Sequence, residues 1–81
     1  MRIEELKSKL SELNVPKEWY SINEGLKFDA YILNKVYYYW EYFYFDERGR
    51  QNEYRKFDNE NDACVFFLSK LEKEMEAFHM K

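Results

Sequence analysis

The chain has 81 residues, 13 Lys and Arg against 16 Asp and Glu, a net charge of −3, and an aromatic fraction of 21%. That length allows a single domain, residues 1–81, and leaves no room for a deep cleft between domains. The mild acidic excess argues against a general nucleic-acid binder, whose footprint is basic. One cysteine, Cys64, rules out an internal disulfide and fits a reducing cytoplasm. The charged, periodic stretch 1–14 lacks the apolar run of a signal peptide, and no stretch of about 18 apolar residues offers a membrane span.

Ile3, Leu6, Leu10 and Leu13 recur at three- and four-residue steps among Glu4, Glu5, Lys7, Lys9 and Glu12. This spacing predicts an amphipathic helix over 2–14, with Asn14 as its C-terminal cap and Pro16 blocking continuation. Val15 to Lys27 reads as a connector anchored by Trp19, Tyr20 and Ile22. Ser21-x-x-Glu24 matches a capping box, but Gly25 follows and no apolar periodicity continues, so no helix is expected there. Asn23-Glu24-Gly25 reads as a turn with Gly25 at positive φ.

Phe28 to Leu33 is the first predicted strand, with Asn34-Lys35 as a two-residue hairpin turn. Val36 to Phe45 then holds eight aromatics in ten residues, and is expected to form one long central strand. Asp46-Glu47-Arg48-Gly49 has the pattern of a type I turn with a glycine bulge. The charged stretch Arg50 to Phe57 suits an edge strand. Asn59-x-x-Asp62 caps a second helix over 60–78, whose apolar face carries Cys64, Phe67, Leu68, Leu71, Met75 and Phe78. The predicted architecture is α+β: helix, three-stranded antiparallel meander, helix (α-β-β-β-α).

Side chains alternate across a strand, so the aromatic stretch divides into two faces. Val36, Tyr38, Trp40, Tyr42 and Tyr44 share one; Tyr37, Tyr39, Glu41, Phe43 and Phe45 share the other. An unpaired carboxylate under a helix is costly, so Glu41 assigns the second set to the open face. The competing arrangement places one helix on each face. Exposed aromatics with a charged rim describe a protein-binding surface, here Tyr37, Tyr39, Glu41, Phe43 and Phe45 with Glu47 and Glu53 at the acidic rim.

Reaction chemistry has little support. His79 has no acid or nucleophile spaced to serve it, and Cys64 reads as a small buried hydrophobe. One Cys and one His do not make a zinc site, the carboxylates lack calcium-loop spacing, and no glycine-rich phosphate loop is present. The expected class is a binding protein, not an enzyme, with no cofactor and no metal. Aromatics on a sheet can also stack single-stranded RNA, but Glu41 sits where such modules carry Lys or Arg. A homodimer interface is a third use of the same face.

Trp40-Glu41-Tyr42-Phe43-Tyr44-Phe45-Asp46-Glu47-Arg48-Gly49, then Phe57-Asp58-Asn59-Glu60, then Ala63-Cys64-x-Phe66-Phe67-Leu68-x-x-Leu71 resemble small immunity proteins encoded beside bacterial polymorphic toxins, including the antidotes of contact-dependent growth inhibition systems. The resemblance covers residues 25–71. It implies a cytoplasmic bacterial protein that binds a cognate toxin domain and blocks it, and the acidic balance favours a basic, nuclease-type toxin. Such families vary most at the toxin-binding surface, so no binding residue carries over from the resemblance.

Overall fold

A computed structural model describes residues 1–79. Helix α1 spans Ile3–Glu12. It ends as the sequence predicts, with Asn14 in the left-handed region at φ +59°. The Asn14 N–H donates to the Ser11 carbonyl (3.0 Å) and the Val15 N–H to the Leu10 carbonyl (3.1 Å), the paired bonds of a Schellman motif. Val15 and Leu10 are both buried in the core beside it. Helix α2 spans Glu60–His79. Its start is capped by Asn59: the Asp62 N–H donates to Asn59 Oδ1 (2.8 Å), and Asn59 Nδ2 donates back to Asp62 Oδ2 (3.1 Å). The first turn of α2 also serves α1, because Glu60 Oε2 accepts the otherwise free N–H of Ile3 (2.8 Å).

Between the helices lie four strands, not three: β1 Tyr20–Ile22, β2 Ala30–Val36, β3 Tyr39–Phe45 and β4 Gln51–Phe57. They form one mixed sheet in the order β1-β2-β3-β4. β2, β3 and β4 make the expected antiparallel meander, and β1 adds a parallel edge through Tyr20↔Tyr31 and Ile22↔Leu33. Parallel neighbours usually need a crossover of a dozen or more residues. Here β1 is only three residues long, so the short connection 23–29 suffices to bring the chain back. Three of its residues adopt positive φ: Asn23 at +56° and Gly25 at +92°, in the turn read from Asn23-Glu24-Gly25, and Asp29 at +56°.

The first hairpin corrects the sequence reading. Val36 pairs with Tyr39 and Asn34 with Glu41, so the turn is Tyr37-Tyr38 and Asn34-Lys35 lies within β2. The ten-residue aromatic strand is therefore a strand of seven, preceded by a turn made of two tyrosines. The second turn forms as predicted. Asp46 Oδ1 accepts from the N–H groups of Arg48 and Arg50 (both 2.9 Å), and Gly49 stands at φ +78°. β4 is an edge strand, with a bulge opposite Tyr42/Tyr44 where Glu53 takes φ +59°.

Both helices pack on the same face of the sheet, which rules out one helix per face. Leu6, Leu10, Ile22, Leu33, Trp40, Tyr42, Cys64, Phe67 and Leu71 form the main core between them. Trp40 and Tyr42 thus lie on the predicted side, with Tyr44 on the same side at the sheet margin. Val36 and Tyr38 do not. The turn interrupts the alternation, so Val36 shares the outer face with its partner Tyr39, and Tyr38 is 94% exposed.

Candidate functional site

The outer face of the sheet, away from the helices, carries a second, smaller core of Ala30, Ile32, Phe43 and Phe45. Phe43 is 1% exposed and Phe45 8%. Both were expected to face solvent, and this overturns their assignment as open partner-binding residues. Part of the cover comes from the connection 23–29, which returns the chain from β1 to β2 and lays Phe28 against this face. Ser21 Oγ donates to the Gly25 carbonyl (2.8 Å), and the Phe28 ring stacks on Phe45 at 5.3 Å between centroids. Lys27 Nζ ties the same loop to the Lys17 and Tyr20 carbonyls (3.1 and 3.3 Å). On the other flank Tyr54 stacks on Phe43 at 6.5 Å.

The rings that meet solvent are therefore the covering ones. Phe28 is 63% exposed and Tyr54 48%. They bracket a continuous row, Phe28–Phe45–Phe43–Tyr54, with successive centroids 5.3, 6.1 and 6.5 Å apart. Next along the face, Lys56 Nζ lies 4.4 Å from the Tyr39 ring centroid, a cation–π contact. Lys56 also stands opposite Glu41 across the β3–β4 pair. Glu41 lies on the predicted face, half-buried, and a cation neighbours it.

Beyond that row is the hairpin tip. Tyr37 is 87% exposed and Tyr38 94%, and Tyr37 has φ +54°. An aromatic residue in the left-handed region pays a steric penalty that glycine or asparagine would avoid.

The acidic rim separates. Glu47 is exposed in the β3–β4 turn. Glu53 has left the outer face: the bulge turns it to the helix side, where its Oε1 accepts from the Tyr42 hydroxyl (3.3 Å) and pairs with Lys70 Nζ (3.1 Å). It serves the fold there and does not flank the aromatic row. Burial, and then the Glu53 charge, hold the Tyr42 hydroxyl well above its ordinary range, so it remains a donor.

A third feature drew no attention in the sequence. At the far end of the helix-side face, Trp19, Asp29, Tyr31, Tyr44, Glu74 and Phe78 line a groove of about 690 Å³. They come from the turn before β1, the start of β2, the end of β3 and the last turns of α2, so no local pattern announces them. Cys64 is fully buried, and burial followed by the Glu60 charge pushes its thiol up to about 11. That is the environment of an inert core cysteine. His79 is exposed. Among the described residues no three His, Cys, Asp or Glu side chains gather as a metal site, and no helix is long and apolar enough to cross a membrane.

Comparison with known proteins finds no matching family model, no similar curated protein and no similar solved structure.

Proposed function

We propose that this protein is a binding module that neutralises a protein partner by stoichiometric contact, and that the partner is a bacterial toxin domain with a basic surface. The observation that carries the binding reading is the hairpin tip, where two tyrosines stand almost wholly in solvent and one of them holds a strained backbone. Two such rings can bury about 300–500 Å² on contact. That is the size of the apolar patches that mark interaction sites, and tyrosine is a favoured hot-spot residue. Phe28, Tyr54 and the Tyr39–Lys56 pair extend the surface along the outer face, with Glu41 and Glu47 supplying negative charge.

The partner class comes from the resemblance to immunity proteins of polymorphic toxins, and the net charge of −3 favours a basic surface. A cytoplasmic location follows if that partner acts on cytoplasmic targets. The RNA-stacking alternative loses support, because Phe43 and Phe45 lie under other side chains instead of meeting bases.

The test is co-expression with any toxin domain found encoded beside this gene. The wild-type protein should restore growth and co-purify one to one. A Tyr37→Ser/Tyr38→Ser variant, shown to be folded by its melting curve, should do neither. Full protection by that variant would remove the hairpin tip from the interface. Absence of any complex at micromolar concentration would remove the toxin partner. Light scattering of the protein alone separates a homodimer from both.

A further inference from the structure

The groove beneath the last turns of α2 combines two kinds of lining. Four aromatic rings meet there as two tilted pairs, Trp19–Phe78 at 5.5 Å and Tyr31–Tyr44 at 4.9 Å between centroids. Two carboxylates, Asp29 and Glu74, stand among them. Ring faces carry negative potential, so aromatic walls with carboxylates attract a cation and repel an anion. A hard metal ion would need six or more oxygen ligands, which this lining does not offer. An organic cation, with an apolar stem and a charged head, matches both kinds of wall.

Three details strengthen the match. Burial and the neighbouring Glu74 carboxylate keep the Tyr31 hydroxyl protonated, and burial and Asp29 act in the same way on Tyr44. Among the described residues Asp29 forms no salt bridge, while Glu74 has one partner, Lys70, at 3.4 Å. Lys70 Nζ also lies 5.9 Å from the Tyr31 centroid, so this wall already attracts a cation from the adjoining side.

We infer that the groove is a binding site for the charged head of an arginine or lysine side chain presented by a partner protein. A volume of about 690 Å³ is far more than one guanidinium needs and leaves room for the chain that carries it. Phe78, 53% exposed, provides an apolar lip for the stem. The site lies on the helix side of the sheet and does not depend on the outer face or the hairpin tip.

The experiment is a titration of the ¹⁵N-labelled full chain with acetyl-Ala-Arg-Ala-amide, its neutral citrulline counterpart and ethylguanidinium. The reporters are the two indole N–H signals, assigned by the loss of one in Trp19→Phe. The arginine peptide should shift the Trp19 signal saturably and leave that of buried Trp40 in place, and citrulline should not. Asp29→Asn and Glu74→Gln should each weaken binding by up to about fivefold, the range of one exposed charge pair. Ethylguanidinium should bind no tighter than the peptide. Tighter ethylguanidinium binding would overturn the partner assignment in favour of a free small cation. The proposal also fails if no saturable shift occurs, if citrulline matches arginine, or if both carboxylate variants bind as the wild type does. Failure of these titrations leaves the hairpin-tip reading intact, and failure of the toxin test leaves this one intact.

Discussion

Replacing Tyr37 with glycine should make this protein more stable and less able to bind. Tyr37 sits at φ +54° and is 87% exposed, so its side chain contributes little packing. The left-handed region costs an L-residue about 1–2 kcal/mol. Glycine removes that penalty but enlarges the unfolded ensemble, which takes back about 0.4–1 kcal/mol. The net gain lies between about 0 and 1.6 kcal/mol, and its midpoint of about 0.8 kcal/mol corresponds to about 3–6 °C in melting temperature for a domain of this size. Thermal and urea melts followed by circular dichroism measure it. Tyr37→Asn should also gain, since asparagine tolerates this conformation without glycine's entropy. Tyr38→Gly is the internal control. Tyr38 is outside the left-handed region, so glycine there should lower the melting temperature slightly. A lower melting temperature for both Tyr37 variants would refute the strain argument. Should they melt higher and also fail to protect against the toxin, the native tyrosine is retained for binding at a cost in stability.

Phe43→Ala should destabilise the fold by about 3–5 kcal/mol, because the ring is buried in the outer-face core; a urea midpoint reports this, and the variant is unsuitable as a binding probe. Asn59→Ala removes the cap of α2 and should cost about 1 kcal/mol, visible as a drop of several degrees in the melting curve. The Asp46 carboxylate is lowered in pKa, first by the Arg50 N–H and then by Asn52. A folded-state pKa below the unfolded value stabilises at higher pH, so the urea-midpoint advantage of wild type over Asp46→Ala should be full at pH 7 and shrink as pH falls through the acidic range. The Cys64 thiol should resist an aromatic disulfide reagent at pH 8 until urea unfolds the chain; rapid labelling of the native protein would contradict its burial.

How much was legible in the chain depended on how local the signal was. Both helices declared themselves through apolar periodicity and caps that act within four residues, at Asn14 and Asn59. The glycine turn at 46–49 did so for the same reason. The first hairpin did not: its turn consists of Tyr37-Tyr38, two strand-favouring residues, and only pairing with β2 pulls them out of the strand. β1 is three residues long, too short for an alternation to show. Glu53 changed faces because of a bulge, which composition does not mark.

Glu41 alone correctly indicated which side of β3 meets the helices, because the cost of burying a charge is a property of the residue itself. Whether the opposite side was open was another matter. Phe28 from the connection 23–29 covers Phe45 and Tyr54 from β4 covers Phe43, and nothing in the aromatic strand encodes that cover. The groove beneath α2 is of the same kind, assembled from four segments far apart in the chain. Sequence determined both helices, the 46–49 turn and the amphipathic sides that drive packing, since those rest on propensity and periodicity. Tertiary structure decided which aromatics reach solvent, since exposure depends on what a distant segment lays on top.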